Sequence, residues 1–225
     1  MSTTQPNLHD ARLAFVGRII AGVSHEFKNH LSVTKELSGL LDDLLAMEKD
    51  ALPGRERLTK ITAGIGERVA AAAEMAGHLG RFAHRMDFPL SSFSVNEVAG
   101  EILFLTRRFA RLKNITLELD PAPDLPSMHS NPSLLQFVVF SAVMAMLNHL
   151  EKQGAVRVAT AAAGDRVRIA FHGEKIRAGA PADLSPYIPG EALQALHAQC
   201  PPVEPDQAGI RAVLLLSPIP PESGG

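Results

Sequence analysis

Between positions 8 and 86 the chain carries a single proline, Pro53, followed at once by Gly54. The stretch is rich in Ala, Leu, Glu and Arg, all good helix formers. So long a run without breakers predicts two long helices, over Leu8–Lys49 and Arg55–Met86, with Pro53-Gly54 as the turn. At 1.5 Å per residue each would be about 45–60 Å long. Two such helices form a hairpin without a closed core, so part of their apolar surface needs a further partner. A second copy would complete a four-helix bundle, and a homodimer is the simplest expectation.

Residues 87–225 have a different texture, holding most of the prolines and alternating strand-like with helix-like runs. Phe93–Val95 reads as a short strand, with Asn96 as cap for a helix over Glu97–Leu112. Ile115–Leu119 alternates as a half-buried strand does. Asn131-Pro132 is a cap-then-proline start for an apolar helix over Leu134–Glu151. Ala155–Ala161 and Arg166–Phe171 read as a hairpin through Gly164-Asp165. Pro189–Gln199 reads as a helix and Gly209–Leu216 as a last strand. The order β-α-β-α-β-β-α-β predicts an α+β sandwich with its helices on one sheet face. The expected division is 8–87 for the hairpin and 92–218 for the sandwich, with a frayed Pro/Gly-rich tail over Ser217–Gly225.

Charge and composition remove several function classes. Lys and Arg total 22 against 24 Asp and Glu, for a formal net charge of -2 and a pI of about 6.5. That balance offers no electrostatic footprint for nucleic acid or anionic lipid. Cys200 is the one cysteine, which excludes an internal disulfide framework and suits a reducing compartment. Met1–Asp10 is polar and lacks the pattern of a secretory signal. The longest apolar run, Leu134–Leu147, falls short of the roughly 18–20 residues that span a bilayer. The expectation is a soluble, cytoplasmic protein.

The stretch Ala21–Leu31 carries the chemistry. At 100° per residue Val16, Ile20, Val23, Phe27, Leu31, Leu41 and Leu45 fall along one side of the first helix. His25 lies about 180° from Val16, opposite that stripe, with Asn29 about 40° from it and Glu26 beside it. The spacing alone leaves an ordinary exposed histidine and an exposed nucleophile both open. Neutral imidazole is a good nucleophile near pH 7. A neighbouring carboxylate can hold its other nitrogen in the right tautomer, and Asn29 can orient a phosphoryl oxygen or a water.

Other candidates are weaker. His78 and His84, six apart, share no helix face and make a poor metal pair. His129, His149 and His197 are scattered, and Cys200 has no evident base. Gly64-Ile65-Gly66 sits inside the second helix, where helix packing explains it better than a phosphate loop. Arg107, Arg108, Arg111 and Lys113 form a basic cluster that is either a solvated face or a surface for an acidic partner.

The segment Leu13–Leu45, with Ala21, Gly22, His25, Glu26, Asn29 and Leu31, resembles the phosphoacceptor helix of two-component sensor histidine kinases. His30 stands where that family has proline. The resemblance implies a dimeric four-helix bundle in which His25 carries a phosphoryl group. Glu26 would be its acid/base partner, and Asn29 would position water. Residues 93–218 resemble the same family's ATP-binding domain in order and length, yet the nucleotide motifs are missing. The two asparagines of the family's metal-holding motif fall on Phe140 and Met144, or one residue later on Ser141 and Ala145, with Asn148 a turn too late. Where the family has an adenine-binding aspartate, this chain has His172-Gly173-Glu174-Lys175.

A phosphoacceptor hairpin joined to a kinase-like domain without ATP ligands is similar to ChpT-type dimeric histidine phosphotransferases. That implies phosphoryl relay between receiver-domain aspartates through His25. No cofactor is expected on this chain; Mg²⁺ is expected on the partner receiver of the response regulator. The rival expectations are a sensor kinase with a divergent ATP site and a non-catalytic pseudokinase that regulates a response regulator.

Overall fold

The computed structural model describes residues 7–47, 54–202 and 209–217. Two long helices open the chain: α1 over Leu8–Met47 and α2 over Arg55–His84. The Asn7 side chain caps α1 by accepting from the Asp10 amide at 2.9 Å. α1 runs unbroken through His30, whose backbone N–H a proline would lack. Lys49 and Pro53 lie outside the described residues, as does most of the tail after Ser217.

After the hairpin come β1 (Ser91–Phe93), α3 (Val95–Arg111), β2 (Thr116–Asp120), β3 (Met128–Ser130) and α4 (Pro132–His149). Then follow β4 (Ala155–Ala163), β5 (Arg166–Gly173), a 3₁₀ turn at Ser185–Tyr187, α5 (Gly190–Ala195), β6 (Ala198–Gln199) and β7 (Ile210–Leu216). Five strands form one sheet in the order β2-β4-β5-β7-β6, with β2 and β4 parallel and the remaining pairs antiparallel. β1 and β3 make a separate antiparallel pair. The fold is α+β, as the element order predicts.

Burial alternates along the strands. Val156 and Val158 of β4, Val167 and Ile169 of β5, and Leu214 of β7 face the helices. Arg157 and Arg168 face water. α4 is buried nearly all round, as a core helix must be when its residues are apolar on every side. It is the one described helix with the length and hydropathy of a membrane span, and 83% of that window is buried inside the protein.

Several boundaries differ from expectation. Asn96 does not cap α3: the Ser94 hydroxyl does, accepting from the Glu97 amide at 3.3 Å. Asn96 instead donates to the Ala122 carbonyl and accepts from the Thr160 hydroxyl, tying α3 to the sheet. The first strand ends at Phe93 instead of running to Val95, because Ser94 already starts the helix. The expected helix over Pro189–Gln199 closes at Ala195, and Ala198–Gln199 pairs with β7.

Hairpin and sheet-bearing half share one core. Phe15 of α1 meets Phe82 of α2 edge-on at 5.5 Å and two rings of α4, Phe137 at 5.6 Å and Phe140 at 4.8 Å. A polar tie lies beside this seam. Glu101 of α3 is 3% exposed and accepts from Arg85, just past α2, at 2.9 Å and from Gln136 of α4 at 3.5 Å.

The α1 stripe is corrected. The seam that the single chain buries is Phe15, Ile19, Val23 and Leu44. Ile20, Leu31 and Leu45 stay exposed together with Leu13. The apolar arc of α1 is thus wide enough for two seams, only one of which the described residues cover.

Because the aromatic seam joins both halves, Phe15→Ala should cost about 3–5 kcal/mol in urea unfolding, the range for truncating a buried phenylalanine. A loss below about 1 kcal/mol would show that the two halves do not depend on this packing.

Candidate phosphoacceptor site

Residues four apart on a helix share a face. Arg18, Gly22 and Glu26 therefore line up along α1, and all three face α3. A Cβ on Gly22 would lie 3.3 Å from the Phe109 ring, so glycine lets α3 come this close. The Arg18 guanidinium stands over the rings of Phe109, at 5.6 Å, and Phe140, at 5.2 Å. One turn on, the Glu26 carboxylate accepts from Arg108 at 3.1 Å and from Arg111. A cleft of about 190 Å³ opens beside this pair, floored by Val23, Met75, Phe104 and Leu105.

His25 sits on the adjoining face of α1 and is exposed. Its Nδ1 lies 3.3 Å from the Asn29 side-chain amide, the i,i+4 contact that the spacing predicts. Glu26 makes no contact with the ring. Adjacent helix positions diverge by about 100°, and the carboxylate turns to α3 where two guanidiniums hold it. The side-chain partner of the imidazole is Asn29, and the expected carboxylate contact is absent.

Burial pushes the Glu26 carboxyl upward, but hydrogen bonds and charge from Arg111 and Arg108 outweigh it and hold the group below its ordinary value. The basic cluster thus has its acidic partner within the same chain. Arg107 lies over the Phe104 ring at 4.8 Å. Lys113 donates to the Leu147 carbonyl and to Asn148 Oδ1.

The positions matching the kinase metal motif are packed. Phe140 is 3% exposed, in contact with Phe15 and Phe109, while Met144 and Ala145 are buried. The Ser141 hydroxyl donates back to the Phe137 carbonyl. Asn148 is the nearest asparagine, and its oxygen is taken by the Lys113 ammonium at 2.8 Å. Gly173 has a packing reason to be glycine: an added Cβ would lie 3.1 Å from Leu150.

The weaker candidates resolve individually. His78 stacks on Phe104 at 3.8 Å, and His84 pairs with Asp87 at 2.8 Å. Gly64 faces Leu37 across the hairpin, where a Cβ would lie at 3.1 Å. Burial pushes the Cys200 thiol up to about 11, which keeps it unreactive near neutral pH. Among the described residues no group of three or more His, Cys, Asp or Glu is placed to hold a metal ion.

Arg108 and Arg111 are the members of this site that sequence reasoning did not connect to it. Their i,i+3 spacing at the end of α3 was visible, but the pairing spans more than eighty positions.

No protein-family model matches the chain. Over 186 residues it is 25% identical to the sensor histidine kinase ZraS of Klebsiella oxytoca, covering 82% of this chain and 37% of that protein. The chain therefore spans little more than a third of that relative's length. Among solved structures it is similar to a histidine kinase from Burkholderia phymatum STM815, at 10% identity and a TM-score of 0.49, over 90% of this chain and 97% of that one. It is also similar to the histidine kinase ThkA in complex with the response regulator protein TrrA. That match has 16% identity and a TM-score of 0.47, over 93% of this chain and 64% of the other.

Glu26 has a lowered folded value, so its contribution to stability is complete above the unfolded value of 4.5 and is lost as pH falls through the folded one. Glu26→Gln should therefore be less stable than the native chain at pH 7, and the gap should close below pH 4.5 in denaturant titrations. A pH-independent gap would mean that the carboxylate charge does not hold α1 to α3.

Proposed function

We propose that this chain, related in sequence to the histidine kinases, is a histidine phosphotransferase of a two-component relay, with His25 as the phosphoryl carrier. The observation that carries this reading is the packing of α4. Met144, or Ala145 in the neighbouring register, stands where an ATP-using relative has its metal-holding asparagine; both are apolar and buried, and Phe140 one turn earlier is wedged between Phe15 and Phe109. Binding Mg²⁺-triphosphate requires oxygen ligands for the metal. The one nearby asparagine oxygen is neutralised by Lys113.

A donor that needs no ATP is an aspartyl phosphate on a receiver domain. Its mixed anhydride is activated, and a neutral imidazole can attack it. Nε2 of His25 forms the bond to phosphorus while the phosphorus–oxygen bond breaks, and the electron pair leaves on the aspartate carboxylate. The proton stays on Nδ1. The Asn29 amide nitrogen lies 3.3 Å from Nδ1; in the reacting tautomer the amide is turned by half a revolution, so that Oδ1 accepts from Nδ1–H and Nε2 is free. The ring afterwards loses that proton to water. Transfer to a second receiver is the same displacement in reverse, with positioning and charge stabilisation doing most of the catalysis. The receiver brings the Mg²⁺.

Leu13, Ile20, Leu31 and Leu45 are exposed and fall within about 40° on one line of α1, away from the face that meets α3. A second copy on that stripe completes a four-helix bundle and leaves His25 open to a receiver. Residues 8–87 then form the dimerising phosphotransfer hairpin and 92–218 its companion domain. A cytoplasmic site of action fits this partnership.

The competing reading is an ATP-dependent kinase, favoured by the similarity to a sensor histidine kinase. Calorimetric titration with Mg²⁺-ATP, with autophosphorylation followed alongside, separates the two. Neither heat nor label at millimolar ATP is expected, whereas saturable binding with label on His25 would make the chain a kinase. In a screen of phosphorylated receivers, His25→Ala should remain folded and accept no label. Undiminished labelling of that variant would sink the assignment.

A further inference from the structure

The Glu26 pair joins two halves of the molecule. Arg108 and Arg111 belong to α3, in the sheet-bearing half, while Glu26 is the neighbour of His25 on α1. Two guanidiniums against one carboxylate leave a net charge of +1 beside the histidine, by simple count of the groups in contact. Glu26 alone would leave -1. The pair is also partly desolvated: the Glu26 side chain is 13% exposed, Arg108 20% and Arg111 66%. The apolar floor of Val23, Met75, Phe104 and Leu105 limits water on one side. Charges set in such a crevice act more strongly than on an open surface. Glu74, Arg107 and His30 line the same cleft, and the charges of Glu74 and Arg107 offset each other.

We propose that Arg108 and Arg111 are positioning residues for phosphoryl transfer at His25, acting through Glu26, so that the C-terminal half completes the phosphoacceptor site electrostatically. A phosphoryl donor approaches with negative charge, and the product holds about two negative charges on the phosphoryl group. A net negative neighbour would repel both; a net positive one attracts the donor and stabilises the product. The close approach at Gly22 and the Arg18 stack on Phe109 fix α3 where its arginines reach Glu26. This gives the companion domain a task that requires no nucleotide. The inference rests on His25 being the phosphoryl acceptor.

Potassium phosphoramidate provides a test that requires no partner protein. It is a small anionic donor: its phosphorus–nitrogen bond breaks as the bond to His25 Nε2 forms, and ammonia leaves with the electron pair. The full chain is labelled and the rate of phosphohistidine formation followed by ³¹P NMR, with His25→Ala as the control for site. The variants order by net charge. The native chain is +1, the triple variant E26Q/R108Q/R111Q is 0, and the double variant R108Q/R111Q is -1.

The rates should fall in that order, with the double variant about tenfold slower than native. The double variant R108K/R111K keeps the charge and should stay within about threefold of native. Added salt should slow the native chain and leave the triple variant unchanged. A purely structural role predicts instead that the triple variant is no faster than the double Gln variant, and that result overturns the proposal. So does a double Gln variant as fast as native, or a lysine pair as slow as the glutamines. Equal labelling of native chain and His25→Ala would remove the acceptor assignment itself, a failure distinct from a wrong ordering among variants that do label His25.

Discussion

The joining of the hairpin to the sheet-bearing half depends on the contact of one ring, Phe15, with three others. Phe82 belongs to the hairpin, and Phe137 and Phe140 belong to the core helix of the sheet-bearing half. Buried aromatics of this size each remove about 150–250 Å² from water, and edge-on geometry adds to that. The ion pairs nearby are partly exposed, and such pairs are individually weak. The apolar seam therefore supplies the adhesion, while the charged contacts select the register in which α3 lies along α1. Arg85 and Glu101 extend the same logic at the other end of the interface, where a nearly buried carboxylate requires its guanidinium.

The same seam explains why α4 is apolar on all sides. α4 packs on the sheet with one face and on α1 with another, so Phe140 and Met144 have no solvent to face. A polar side chain at Phe140 would meet the Phe15 and Phe109 rings, and burying a polar group there without a hydrogen bond is costly.

How far the sequence discloses this depends on the range of each interaction. The long helices follow from absent breakers, the α4 start from Asn131-Pro132, and the β4–β5 hairpin from Gly164-Asp165, all local signals. His25 and Asn29 are legible for the same reason, since their contact is one helical turn. Ser94 and Asn96 both suit a helix cap; tertiary contacts decided between them, because Ala122 and Thr160 claim Asn96. β3 and β6 are too short to carry a periodic signal, and only their pairing with β1 and β7 defines them. The choice of Phe15, Ile19 and Val23 as the buried seam needs α4 in place, and the Glu26 pair needs α3. An α1 arc with two apolar edges does not announce which edge its own chain will cover.

The distance along the chain between the partners of this seam also imposes an order on biosynthesis. Arg12 and Ser133, which bond beside it, are 121 positions apart. The hairpin leaves the ribosome well before α4, and at about 5–20 residues per second that interval lasts several seconds. During that time Phe15 and Phe82 have only each other, and both apolar edges of α1 are bare. The late helix thus closes the seam at Phe15 only after the hairpin has been made.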